Sequence, residues 1–192
     1  MPQSQLDKTP QRAIGPLDLQ QASVLAIEAA TSMISPVTSS LHALKFGSVS
    51  VLLSSDHAWQ RLVDDAPLQP DLILMDWHVH PTPCEEFLRR LRRVENPRLA
   101  ETAVICLIAN ADAKSVCAAR DAGANAVLGR PFSPKQLGEK VLWVLEHDVA
   151  FIRSDGYVGP DRRHFRSGPY RGKERRRSVK KGNNAADSRT PA

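Results

Sequence analysis

Short apolar runs alternate with helix-like segments through the middle of the chain, and this alternation constrains the fold more than any other feature. The strand-like runs are residues 24–27, 49–53, 72–75, 103–109 and 126–128, and a segment with helical spacing of apolar residues follows each one. Strands that alternate with helices of this length form a parallel sheet with helices on both faces. The sequence therefore predicts an α/β fold.

The third run, Leu72 to Met75, ends on a carboxylate at Asp76. A strand that is buried on both faces of a parallel sheet reads as a continuous apolar run, and open α/β sheets bind ligands where such strands end. Asp76 is therefore a candidate site residue, and the alternative is an ordinary acidic residue at a strand end.

Charge is distributed unevenly, because a mildly acidic body precedes a strongly basic tail. From Arg153 onward, twelve Lys or Arg residues stand against four Asp or Glu residues; this part contributes +8 and the rest of the chain −3 to the net charge of +5. Both ends lack a periodic apolar pattern. We predict a disordered leader at 1–21, a folded domain at 22–148 and a disordered basic tail at 149–192.

Cysteine usage and hydropathy indicate the compartment. Cys84, Cys106 and Cys117 are odd in number and form no CxxC pair, which is typical of reduced thiols packed as small apolar side chains. The chain has no run of about 18 apolar residues and no apolar core of a signal peptide. We expect a cytoplasmic protein without a membrane partner.

Three segments resemble the receiver domain of bacterial two-component response regulators, which has the CheY-like fold: VLAIEAA at 24–30, DLILMDWHVHP at 71–81 and DAGANAVLGRPFSPKQL at 121–137. The likeness covers about residues 22–147. It implies a flavodoxin-like, doubly wound, five-stranded parallel sheet with strand order 2-1-3-4-5. It also implies a signalling domain rather than an enzyme, with a sensor histidine kinase or a phosphotransfer protein as the donor of a phosphoryl group.

The resemblance assigns roles to four residues. Asp76 matches the phospho-acceptor, and Glu28 matches the first acid of the metal-binding pair. His78 lies where a receiver domain uses its backbone carbonyl on the metal, and Arg130 stands near the phosphoryl group where a lysine is expected. The resemblance thus implies a weak Mg²⁺ site formed by Glu28, Asp76 and His78.

Three other positions depart from the pattern of the family. The second metal-binding acid is replaced by Ala29, the signalling hydroxyl by Ile108 and the mobile aromatic side chain by Val127. Mg²⁺ requires near-ideal octahedral oxygen ligands, so Ala29 weakens its binding. Two functions stay open: phosphorelay signalling through Asp76, and a phosphorylation-independent pseudo-receiver. The pseudo-receiver would bind a partner through the face formed by the fourth helix, fifth strand and fifth helix, or through the tail.

The tail contains two copies of one pattern, Tyr-x-Gly-x-acid-Arg-Arg, set 13 residues apart. It resembles extensions of the YxGPDRR type that follow some alphaproteobacterial receiver domains. Paired arginines bind carboxylates or phosphates and tyrosines stack, so an acidic protein surface is favoured as partner over nucleic acid, and folding back onto the acidic body is the alternative. The predicted interaction residues are Tyr157, Arg162, Arg163, Tyr170, Arg175 and Arg176.

Two further chemistries fit the sequence less well. A zinc site formed by His78, His80 and Cys84 with His57 lacks the usual CxxC and HxxxH spacings. A phosphotransferase of the haloacid dehalogenase type requires a second acid two residues after the nucleophile, and that position holds His78.

Overall fold

The computed structural model describes residues 18–63, 69–147 and 149–162. Its main sheet has five parallel strands in the order β2-β1-β3-β4-β5. This confirms the predicted doubly wound sheet and its 2-1-3-4-5 order. The strands are β1 (Ser23–Ile27), β2 (Ser48–Leu52), β3 (Leu72–Asp76), β4 (Ala103–Ile108) and β5 (Ala126–Gly129).

Helices follow the strands as the sequence predicts, with ends shifted by a few residues. Ser133 caps the last helix in a capping box with Gln136, and Gly123 ends the preceding helix with a left-handed φ of 106°. Among the described residues, none of the helices is long and apolar enough to cross a membrane. The helices are α1 (Ile34–Ala43), α2 (Ser55–Val63), α3 (Cys84–Leu91), α4 (Ala113–Ala122) and α5 (Pro134–Glu146); shorter helical turns, not predicted, occupy Leu19–Gln21, Thr31–Met33 and Pro97–Ala100.

Both faces of the sheet are buried, which explains why its central strands read as uninterrupted apolar runs. Leu72 and Leu74 pack on the side of α1 and α5, whereas Ile73 and Met75 pack on the side of α2, α3 and α4. Every residue of β3 and β4 is buried. This core fixes the positions of the strand ends and therefore of the residues that follow each strand.

The start of the tail differs from the predicted disorder. Two short strands, β6 (Phe151–Ser154) and β7 (Tyr157–Pro160), form an antiparallel hairpin that continues the fold to residue 162. Tyr157 is buried and its hydroxyl donates to the Pro160 carbonyl at 2.8 Å, while Arg162 stacks on the Tyr157 ring and pairs with Asp121 of α4. The charge and the low apolar content of the tail as a whole predicted disorder here. In the folded state, however, Tyr157 of the hairpin is buried and Asp121 of the body pairs with Arg162, and these contacts join residues that are distant in sequence.

The remaining tail residues that the sequence singles out, Arg163, Tyr170, Arg175 and Arg176, lie outside the described residues, as does most of the leader. For the described part of the tail, the alternative of folding back onto the body matches the observed hairpin.

Arg92 lies fully buried beneath this hairpin, although helical spacing predicts it on the polar face of the α3 region. Its Nε donates to the Gly123 carbonyl at 2.9 Å, Nη1 to the carbonyls of Ala100 and Thr102 at 2.7 and 2.8 Å, and Nη2 to Asn125 Oδ1 at 2.9 Å. Burial lowers the pKa of Arg92 to about 10, so the guanidinium stays charged at neutral pH. One side chain thus ties the end of α3 to the loop that precedes β5.

Candidate functional site

Three of the predicted site residues meet at one edge of the sheet. Glu28 directly follows β1, Asp76 is the last residue of β3, and Arg130 directly follows β5. Because the carboxyl ends of parallel strands lie at the same edge, residues distant in sequence are neighbours there. Arg130 Nη1 lies 2.6 Å from Asp76 Oδ2, and Nη2 lies 2.6 Å from Glu28 Oε2. A single guanidinium therefore bridges the two carboxylates.

Both carboxylate oxygens of Asp76 accept hydrogen bonds. Oδ2 accepts from Arg130, and Oδ1 accepts from the backbone N–H of His78 at 2.8 Å. The Asp76 side chain is 9% exposed, whereas His78 is an exposed residue. His78 thus contributes its backbone N–H to the acid.

Glu28 is the most deeply buried member of the site. Its Oε1 is buried and has no hydrogen-bond partner within the described residues, and only Oε2 reaches Arg130. Burial raises the pKa of Glu28; the hydrogen bond and charge of Arg130 oppose this shift, and the charge of Asp76 adds to it. The effect of desolvation on the pKa is larger than that of the ion pair, so Arg130 only partly offsets the free-energy cost of burying the Glu28 carboxylate in its ionised form.

This raised pKa gives a prediction for pH dependence. The folded state holds the Glu28 proton more tightly than the unfolded state, so the contribution of Glu28 to stability falls as pH rises from about 4.5 through its folded pKa. We expect the stability difference between wild type and Glu28→Gln to shift in favour of wild type as pH is lowered from 7 toward 4.5. Urea unfolding of both proteins across this range measures the difference, and a difference that is independent of pH would contradict the assignment.

The predicted Mg²⁺ site does not fit this arrangement. Magnesium is held through carboxylates, and one oxygen of each carboxylate in the site is already paired with the guanidinium of Arg130. Ala29 is exposed and supplies no oxygen from its side chain. In the described ranges, no group of three or more His, Cys, Asp or Glu side chains is placed to hold a metal. Arg130 provides the positive charge that these acids need.

The residues of the alternative zinc site form no such group either, within the part of the chain that the structure describes. His57, His78 and His80 are exposed, whereas Cys84 is buried at the start of α3. The Cys84 thiol lies 3.6 Å from the Cys106 sulfur, and burial raises the pKa of Cys84. Cys84 and Cys106 therefore pack in the core as predicted for the cysteines, whereas the prediction is wrong for Cys117, which is exposed.

The positions that depart from the pattern of the family have structural roles. Ile108 is 1% exposed and belongs to the core cluster under α2, α3 and α4, against which Val127 also packs. The Ile108 carbonyl accepts the backbone N–H of Arg130 at 2.8 Å. Apolar side chains thus occupy the places where the resemblance expects a hydroxyl and a moving aromatic ring.

A groove of about 610 Å³ opens beside Arg130, between α1 and the loop that follows β5. Sequence reasoning missed it, because it is formed by side chains from two segments almost 100 residues apart. Its lining is mostly apolar and includes Met33, Pro36, Ala43, Pro131 and Phe132. Arg130 itself is one of its lining residues.

Known structures resemble this fold over about two thirds of the chain. The chemotaxis response regulator CheY4 of Vibrio cholerae matches with a TM-score of 0.58 and 21% identity over 65% of this chain and 99% of its own. A putative response regulator from Chloroflexus aurantiacus matches with a TM-score of 0.60 and 21% identity over 66% of this chain and 99% of its own.

The receiver domain of a sensor histidine kinase from Pseudomonas aeruginosa, described with a magnesium ion in its active-site cleft, matches with a TM-score of 0.58 and 22% identity over 66% of this chain and 99% of its own. No protein-family model matches the sequence, and no curated protein matches it. At this level of identity the comparisons establish the CheY-like receiver fold.

Proposed function

We propose that the protein is a receiver-fold component of two-component signalling that binds its partner without a phosphorylation switch. The observation that carries this proposal is the guanidinium of Arg130, which bridges Asp76 and Glu28 at 2.6 Å on each side. The site is closed by a cation that belongs to the chain itself. We also propose a cytoplasmic location and a binding role rather than an enzymatic one.

The geometry disfavours phosphoryl acceptance by Asp76. Phosphoryl acceptance needs a carboxylate oxygen that can attack phosphorus, and a cation must offset the charge of the transferred group. Here one oxygen is paired with Arg130 and the other accepts the His78 N–H. An incoming phosphoryl group would have to compete with Glu28 for the same guanidinium.

The positions that would report phosphorylation support the same proposal. Ile108 and Val127 pack against the core and offer neither a hydroxyl donor nor an aromatic ring that could change position. A conformational change needs an element with two arrangements that a ligand distinguishes. A surface that binds its partner in a single conformation needs no such element, and the site held together by Arg130 is sufficient for it.

The proposed partner is a sensor histidine kinase or a phosphotransfer protein, since the resemblance to receiver domains implies such a partner. The groove beside Arg130 offers this partner a largely apolar surface. Exposed apolar surface of this kind is typical of interaction sites. The α4-β5-α5 face remains the proposed site for a downstream protein.

Incubation with acetyl phosphate and Mg²⁺ tests the proposal. We expect intact-mass spectrometry to show no added phosphoryl group on the wild-type protein, because Arg130 occupies both acids. A receiver domain that accepts phosphate from the same donor serves as the positive control in the same reaction. A mass increase that Asp76→Asn abolishes would refute the proposal and establish Asp76 as a phospho-acceptor.

A further inference from the structure

The hairpin at 151–162 binds a defined surface on the body of the protein. This surface, the hairpin-binding surface, consists of Arg92, Glu101, Asp121 and Gly123. Two of its residues are carboxylates, and each pairs with an arginine of the hairpin. Arg153 lies 3.4 Å from Glu101, and Arg162 pairs with Asp121.

The hairpin packs closely on this surface where Gly159 of the hairpin meets Gly123 of the body. A Cβ atom added to Gly159 would lie 2.6 Å from the hydroxyl of Tyr157 and 3.0 Å from the Cα of Gly123. The tight turn of the hairpin is held by Ser154, whose hydroxyl donates to the Tyr157 carbonyl at 3.0 Å. Tyr157 and Gly159 therefore form one compact unit against the end of α4.

The repeat in the tail extends into the first half of this unit, although Gly168 and Pro169 replace Asp155 and Gly156 of its turn. When residues 164–176 are aligned with 151–163, six of the 13 positions are identical. The identical pairs are Arg153 and Arg166, Ser154 and Ser167, Tyr157 and Tyr170, Gly159 and Gly172, Arg162 and Arg175, and Arg163 and Arg176.

The repeated residues are those that make the contacts. Five of the six identical positions are, in the first unit, the two arginines that pair with carboxylates, the serine of the turn, the buried tyrosine and the close-packed glycine. The sixth, Arg163, lies outside the described residues. The Pro160 carbonyl that accepts the tyrosine hydroxyl is a backbone atom, so Lys173 in the repeat supplies it equally well.

We propose that residues 164–176 are a second docking unit, which binds the corresponding surface of another receiver-fold chain. The first unit begins only a few residues after α5 and occupies the surface of its own chain. The second unit must therefore bind in trans. Its partner presents two carboxylates beside a glycine that ends a helix, as Glu101, Asp121 and Gly123 do here.

Charge distinguishes the second unit from the first. Arg171 and Lys173 replace Val158 and Pro160, and His164 replaces Phe151, which faces the buried guanidinium of Arg92. These changes add positive charge and favour an acidic surface, such as the one that Glu101 and Asp121 form. Nucleic acid would be bound through the arginines and by stacking on the tyrosine, and the repeated glycine and serine would have no role in it.

The proposal can be tested with full-length chains. The host is the full chain with Gly159→Val and Gly172→Val, which disable both of its own units and free its surface. Wild-type chain is added as the ligand, because it carries the second unit unchanged. We expect sedimentation velocity at low salt to show a 1:1 complex, with its dissociation constant raised at least about tenfold by Tyr170→Ala in the ligand or by Asp121→Arg in the host.

A matched control distinguishes binding that depends on the order of residues 164–176 from binding that depends only on their charge. A ligand chain with residues 164–176 scrambled has the same net charge, and we expect it to bind at least about tenfold more weakly. Equal binding of the scrambled chain, or no complex with the wild-type chain, would overturn the proposal. So would binding of the wild-type chain to a single-stranded oligonucleotide that is tighter than its binding to the host chain.

A second variant covers the case in which the host does not fold. Residues 151–163 of the full chain are replaced by the sequence of 164–176, and a scrambled sequence at the same place is the control. We expect the replaced chain to unfold cooperatively near the wild-type midpoint and the scrambled chain to unfold at a lower temperature. An equal decrease of the unfolding midpoint in the replaced and the scrambled chain would show that the second unit does not dock.

Discussion

Replacing Arg130 by alanine is expected to lower the free energy of unfolding by about 3–5 kcal/mol. The change leaves two carboxylates facing each other without a cation, and Glu28 is fully buried. Removing one partner of a buried ion pair is costly because the remaining charge stays uncompensated in a poorly solvated place. Urea unfolding followed by tryptophan fluorescence measures the loss.

The same variant tests whether the guanidinium of Arg130 takes the place that a metal ion would occupy. With the guanidinium removed, Glu28 and Asp76 are free to bind a cation, so Mg²⁺ should raise the melting temperature of Arg130→Ala. Wild type should show no such rise, because Arg130 fills the position. Arg130→Lys is the matched control: it keeps the charge but cannot bridge both acids with a planar fork, and an intermediate loss is expected.

A loss of less than about 1 kcal/mol in Arg130→Ala would show that these pairs are worth no more than exposed ones. A Mg²⁺ effect of the same size in wild type would show that the guanidinium leaves the site readily. Either result would remove the basis for a permanently closed site. Phosphoryl acceptance by Asp76 would then become the better proposal.

The sequence predicted the sheet because the information for it is local. Buried strands such as Leu72–Asp76 and Ala103–Ile108 appear as apolar runs, and Gly123 and Ser133 mark helix ends by their backbone chemistry. The meeting of Glu28, Asp76 and Arg130 also follows from topology, since each stands at the carboxyl end of a strand. The double bridge of Arg130 could not be predicted, because it depends on side-chain conformation in the assembled fold.

The hairpin was missed because its stability comes from contacts distant in sequence. Tyr157 is buried against Gly159, which packs closely on Gly123, a residue more than 30 positions earlier in the chain. One local signal was present: Asp155-Gly156 lies between two short segments rich in β-forming residues, and Asp-Gly at such a place is a strong hairpin signal. The high charge of the tail concealed it.

Replacing Arg92 by methionine is the second change expected to cost about 3–5 kcal/mol of unfolding free energy. Methionine fills much of the volume but donates no hydrogen bond, so the buried carbonyls of Ala100, Thr102 and Gly123 lose the arginine as donor. Each unsatisfied buried acceptor costs about 1–3 kcal/mol. A matched control is Arg93→Met, which changes an exposed neighbour and should alter stability by no more than about 0.5 kcal/mol.

The hairpin should respond to the same change, because Phe151 packs over the Arg92 guanidinium with 5.5 Å between the ring centroid and Cζ. Trypsin cleavage after Arg153, at a temperature where both variants are folded, reports its release. Faster cleavage in Arg92→Met than in Arg93→Met would show that the buried arginine supports the hairpin-binding surface from below. Equal cleavage together with a large loss of stability would confine the role of Arg92 to the core, and the contacts of Tyr157, Gly159 and Arg162 would then suffice to hold the hairpin.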